Sequence, residues 1–258
     1  MSLLNQPTAL FLVMFAVLLV MMHVGYRVAQ LRSAEASEER QRQIVAARDG
    51  TGLLLSLLMG FTLAMALPNY ELRKRLVIDE ANAIGTTNLR AQILPEPARS
   101  KIQALLQEYV QARIGYQKAA LDNREPRASF ERAKILQDEM WQQSVTLAQQ
   151  NNTPMTSLFV QALNDSIDLS EKRLAALEAR IPLAIWLMLA FVAVLTCFLT
   201  GYSMRRRFVL VMLISPLMIS VVLSLIADLD SPRSGLIRVQ QQSMERLQRD
   251  LQSPPPNK

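Results

Sequence analysis

Four runs free of Lys, Arg, Asp and Glu constrain this chain more than any other feature: residues 8–26, 51–67, 181–202 and 208–227. A bilayer core takes about 20 consecutive apolar residues per helix, whereas a soluble core is satisfied by shorter amphipathic stretches. Four such runs in 258 residues predict an all-α membrane protein with four transmembrane helices. The first run has no Lys or Arg before it and no small-x-small site before Arg27, so it reads as a span rather than a cleaved leader. The second is the shortest, and Ile44, Val45, Ala46 and Ala47 extend its apolar character towards the N-terminus.

The segments between the runs define the rest of the organisation. Residues 1–7 form a short uncharged N-terminal tail. A charged connector, 27–50, holds five arginines and four acids, and its Glu and Arg spacing (Glu35, Glu38, Glu39, Arg40, Arg42) suits an exposed helix. The connector 203–207 is short and carries Arg205, Arg206 and Arg207. Residues 228–258 read as a C-terminal tail with three consecutive prolines near its end, a composition that favours disorder there.

The central segment, 68–180, is charged but balanced, with 15 basic and 14 acidic residues. Its apolar residues recur at helical spacing. Ile102, Leu105, Leu106, Tyr109 and Arg113 share one face; Phe130, Ala133, Leu136, Met140 and Leu147 share another; Leu158, Phe159, Ala162 and Ile167, then Leu174 and Leu177, form a third. Pro95, Pro97, Pro126 and Pro154 mark breaks and helix starts. The pattern predicts helices near 69–94, 98–121, 126–150 and 154–180, the first and last continuous with spans two and three. It makes 68–180 a helical extramembrane domain.

The net charge of +6 does not point to nucleic acid, because no zinc spacing or RNA-binding signature accompanies it. Basic residues at span ends meet lipid headgroups, so the lipid bilayer is the expected partner. Short loops carry the orientation signal, and the two short connectors hold eight arginines. That count favours cytoplasmic connectors, with the central domain and both termini outside. Arg73, Lys74, Arg75, Lys172, Arg173, Arg180, Arg233 and Arg238 at the other span ends match it in number. The lone Cys197 has no intrachain partner for a disulfide or a metal site. No Walker loop, nucleophile elbow, HExxH or paired-cysteine motif is present, so neither an enzyme nor a cofactor is expected.

Several residues stand out within this frame. Gly52, Ser56, Gly60 and Ala64 recur every four residues on one face of the second span. Such a stripe permits close helix–helix contact in lipid, and it equally suits a pore face. The fourth span places Met212, Pro216, Ser220, Ser224 and Asp228 in line. The two serines can satisfy backbone carbonyls freed at the proline, or form a polar track towards the Asp228 carboxylate. His23 reads as an interfacial hydrogen-bonding residue, with gating as the alternative. Two chemically dense segments flank the membrane: Gly60–Pro97, with Arg75, Asp79, Glu80 and Asn82, and Asp228–Val239, with Asp228, Asp230 and Arg233. They read as a juxtamembrane ion-pair network, or as a gating or ion site.

These segments carry a resemblance. The run GFTLAMA from Gly60, then Leu76-Val77-Ile78-Asp79-Glu80-Ala81-Asn82-Ala83-Ile84-Gly85-Thr86 and Leu89-Arg90-Ala91, resembles the bacterial bestrophin-like domain family. Asp228-Leu229-Asp230-Ser231-Pro232-Arg233-Ser234-Gly235-Leu236-Ile237 is similar to that family's ending, and Ala162-Leu163-Asn164-Asp165, Arg180-Ile181-Pro182 and Trp186 fit the pattern between. The resemblance spans about Gly52 to Met244 and implies a bacterial inner-membrane protein. Bestrophins are oligomeric anion channels with four spans and a helical extramembrane domain, so it also implies a homo-oligomer conducting a small inorganic ion. The chain departs from animal bestrophins in lacking their acidic calcium cluster and their aromatic neck, where only Phe61 stands among small residues. A non-conducting sensor or scaffold, its helical domain binding a partner, is the competing expectation.

Overall fold

A computed structural model of the chain describes residues 6–31, 38–121, 127–151, 153–204, 209–231 and 235–252. The connector residues 32–37, the arginines 205–207, Pro126, Arg233 and the terminal prolines lie outside the described residues. All regular structure described is helical: α1 (Pro7–Leu31), α2 (Glu38–Ala91), α3 (Ala98–Leu121), α4 (Arg127–Gln150), α5 (Pro154–Glu178), α6 (Leu183–Ser203), α7 (Val209–Asp230) and α8 (Gln242–Gln252). The chain divides into two compact units, Met1–Tyr70 with Arg180–Ile237, and Glu71–Ala179 with Arg238–Lys258.

The first unit holds the four apolar helices, α1, the N-terminal part of α2, α6 and α7. Among the described residues, four helical segments are long and apolar enough to cross a membrane, and at most 28% of the most apolar window of any of them is buried. Large apolar side chains such as Leu12, Leu187, Phe191, Leu210 and Met218 therefore face outward, as a lipid solvent requires. The buried side joins Leu18, Met22, Leu55, Leu189, Ala193, Cys197 and Ile226 into one core. Two glycines set its tightest contact. A Cβ at Gly25 would lie 2.1 Å from the Phe198 carbonyl oxygen, and one at Gly201 would lie 2.0 Å from that of Met22. Only hydrogen in place of a side chain lets the α1 and α6 backbones meet this closely. At the end of α6, Gln41 Nε2 donates to the Ser203 carbonyl at 3.0 Å and Arg48 Nη1 to the Ser203 hydroxyl at 3.3 Å, where a helix exposes unsatisfied carbonyls.

The second unit holds the C-terminal part of α2 with α3, α4, α5 and α8. Its core includes Ile84, Ile102, Leu106, Leu136, Met140, Phe159 and Leu163, all essentially inaccessible to solvent. Thr153 caps α5 by accepting the Thr156 N–H at 3.2 Å, with Pro154 in the first turn, where its missing N–H costs nothing.

Three elements differ from the sequence reading. The connector 27–50 and the second span do not separate, because α2 runs unbroken for 54 residues and carries Pro68 inside it. The fifth helix does not continue into the third span: the chain leaves helix between Glu178 and Leu183, where Pro182 disfavours a helical Ile181 and caps α6 with φ −56° and ψ 140°. The segment 228–258 is not simply a tail, since it forms α8, whose Met244 is fully buried in the second unit's core.

Candidate functional site

The small-residue stripe occupies the outward side of α2. Leu55, Thr62 and Ala66 bury one face of this helix. At about 100° per residue, Gly60 and Ala64 lie roughly 140° and 180° round from Leu55. A Cβ at Gly60 would meet nothing within 4 Å, and one at Gly52 would meet only the Thr196 methyl at 3.9 Å. Ser56 is exposed and returns its hydroxyl proton to the Gly52 carbonyl at 2.9 Å. Gly52 is half-buried, but from Ser56 to Ala64 the stripe has no partner among the described residues of the chain, while Leu53, Leu57 and Phe61 stand exposed along it.

The serines of α7 point inward instead. Ser220 is fully buried, and its hydroxyl finds no partner among the described residues. Ser224 donates to the Pro7 carbonyl at 2.9 Å and so ties α7 to the start of α1. Asp228, 4% exposed, accepts the Leu236 N–H at 2.9 Å and the Ile237 N–H at 3.0 Å. The returning turn depends on Gly235, at φ +125°, where a Cβ would sit 1.6 Å from Asp228 Oδ1. Asp230 accepts the Ile181 N–H at 3.0 Å, with Arg180 Nη1 4.0 Å from its other oxygen. Both carboxylates therefore hold backbone at the helix ends of the first unit. His23 accepts from Arg27 Nε at 3.2 Å, one turn along α1.

The candidates on the C-terminal part of α2 separate. Arg75, Asp79 and Asn82 are exposed, and Arg75 lies only within 4.0 Å of Glu71, a surface pair of little energetic weight. Glu80, one residue from Asp79, faces inward and is completely buried. Arg113 Nε approaches Glu80 Oε1 to 2.6 Å, off the line of a good hydrogen bond, and Nη2 donates to Oε2 at 3.1 Å. Arg173 Nη1 donates to Oε2 at 2.6 Å, and its Nη2 donates to Gln241 Oε1 at 2.9 Å. The Tyr109 hydroxyl donates to Oε1 at 3.3 Å and accepts from Gln137 Nε2, which also donates to Ser170 Oγ at 2.8 Å.

The electrostatics follow from this packing. Burial pushes the Glu80 carboxyl up, but the attraction of Arg113 and Arg173 and their hydrogen bonds outweigh it and hold the group below its ordinary value. Burial raises the Tyr109 phenol to about 12, so it stays neutral at neutral pH. Sequence reasoning missed this cluster, because its members stand 33 and 93 positions from Glu80. The available signal was Arg113 on an otherwise apolar face of α3, since a charge there must find a buried partner.

The comparisons with known proteins complete the identification. The bestrophin-like domain matches residues 9–244, nearly the whole chain. The chain belongs to the bestrophin-like domain family. Its bestrophin-like fold is shared with a bacterial bestrophin homologue from Klebsiella pneumoniae, at 14% identity over 93% of this chain and 96% of that one, with a TM-score of 0.68. A point-mutant form of that homologue gives 15% identity, 93% and 97% coverage and the same TM-score. Another solved structure, of a mutant membrane protein, gives 14% identity, 93% and 96% coverage and a TM-score of 0.70. A search of curated protein sequences finds no match. This bestrophin-like chain is thus a multi-pass, all-helical membrane protein.

Proposed function

We propose that copies of this chain assemble around a central ion path lined by α2, and that the assembly conducts small anions across the bacterial inner membrane. The observation that carries the reading is the outward part of the small-residue stripe, Ser56, Gly60 and Ala64. Like the other apolar helices, α2 turns large side chains such as Leu53, Leu57 and Phe61 outward, as lipid contact favours, but beside them runs a strip of Ser56, Gly60 and Ala64 that nothing described in the chain covers. A neighbouring copy packed on that strip, with an ion path beside it, accounts for it and requires an oligomer. The preference for anions rests on family membership. Transport rather than catalysis is the reading, since Glu80, Asp228 and Asp230 are all engaged in holding structure. The arginine-rich connectors support a topology with the helical domain and both termini outside the cytoplasm.

Chloride efflux from liposomes containing the purified protein tests the proposal. Release above that of protein-free liposomes, altered by Ser56→Leu, is the expected result. No release from a folded oligomer, with a closed gate excluded by varying pH and voltage, would leave the non-conducting scaffold as the better reading.

A further inference from the structure

The second unit contains a cavity of about 180 Å³ beside the buried arginine cluster. At ~30 Å³ per water, it has room for roughly six waters. Its polar lining is formed by Arg113, Gln137 and Ser170, each at most 9% exposed. Its apolar lining is formed by Phe130, Ala133 and Leu174. Lys134 and Glu171 line the cavity from exposed positions.

The charges do not balance. Glu80 meets two guanidiniums, and neither can give up its proton at physiological pH. Lys134 and Glu171 offset one another, and Tyr109 is neutral. One positive charge is left over among the described groups, at a site where all three cluster members are nine-tenths buried or more. A buried charge without a counterion is costly, and a bound anion removes that cost. Glu80 occupies the Nε and Nη2 edge of Arg113, two of the five N–H groups the side chain offers. The remaining guanidinium N–H groups and the Ser170 hydroxyl suit an oxygen anion, both N–H groups of Gln137 being taken up by Tyr109 and Ser170, while the apolar lining suits a short hydrocarbon body.

We infer that this cavity binds a small organic carboxylate, its carboxyl group against Arg113 and Ser170 and its apolar end against Phe130 and Leu174. The site lies in the extramembrane domain and does not depend on whether the protein conducts.

Calorimetric titration of the full-length protein in nanodiscs with sodium butyrate, at constant ionic strength in chloride buffer, tests the inference. Two variants at exposed positions leave the buried cluster intact. Lys134→Ala should weaken binding about tenfold, and Glu171→Gln should tighten it several-fold, the opposing shifts that charge at the cavity mouth dictates. Phosphate at the same concentration should compete weakly. Absence of butyrate binding, affinities unmoved by both variants, or phosphate binding as tightly as butyrate would each overturn the assignment.

Discussion

Among the described residues, Glu80 is the carboxylate that meets Arg113 and Arg173 in the buried cluster, and the structure indicates how large an effect Glu80→Gln should have. The side chain keeps nearly the same volume, so no cavity opens and the loss is electrostatic. Two guanidiniums, 7% and 4% exposed, then face each other without that counter-charge. Breaking a buried pair from one side costs about 3–5 kcal/mol, because the stranded charge stays desolvated. For a protein of this size, 1 kcal/mol moves the midpoint by about 2–4 °C, so the variant should melt roughly 6–20 °C lower. Its pH response should change as well. The Glu80 carboxyl is held below its unfolded value, so it stabilises the fold above that value and loses its contribution as pH falls through the depressed one. The wild type should therefore lose stability in acid more steeply than Glu80→Gln. Thermal unfolding in nanodiscs followed by circular dichroism, from neutral pH down to the carboxylate range, reads both effects. A shift below about 2 °C with parallel pH profiles would refute the argument that this cluster is a desolvated ion triad.

Other substitutions separate packing from assembly. Gly60→Leu should leave the fold of one chain intact, since a Cβ there meets nothing, but should reduce the oligomer mass measured by size-exclusion chromatography with light scattering. Gly25→Ala and Gly201→Ala should lower the yield of folded protein, at a cost of about 1–3 kcal/mol or more, because the added methyl strikes backbone. Gly235→Ala should destabilise the returning turn, and Asp228→Asn should cost about 1–3 kcal/mol by leaving a backbone N–H poorly matched; neither should change ion selectivity in flux assays. Ser220→Ala should be neutral or slightly stabilising in thermal melts, because its hydroxyl is buried without a partner among the described residues.

The spans were legible because a bilayer leaves a compositional trace: a run such as 208–227 has no charge in it, and no periodicity is needed to see it. The helices of the extramembrane domain were legible through their repeating apolar faces and their prolines. The length of α2 was harder to read, because charge changes along it mark a change of solvent rather than of backbone, and Pro68 does not end it. The stop before α6 was signalled by Ile181-Pro182 but was outweighed by the apolar run that begins there. Gly25 is a lone small residue and gave no periodic pattern, while Gly201 continues the small residues Ala193 and Cys197 at four-residue spacing, and the importance of both depends on which helix lies opposite. The stripe from Gly52 to Ala64 had the pattern, yet from Ser56 onward it faces outward, so sequence showed the capacity for close contact without showing the partner. The Glu80 cluster depended on tertiary proximity between α2, α3 and α5, which no local spacing encodes.

The central claim, an anion path built from copies of this chain, is tested most directly by the reversal potential of the purified protein in a planar bilayer under an about tenfold potassium chloride gradient. The account predicts a reversal potential near that of chloride, about 59 mV from zero for an ideally selective monovalent pathway. Reversal near the potassium potential, or no conductance from a folded oligomer across voltage and pH, would contradict it.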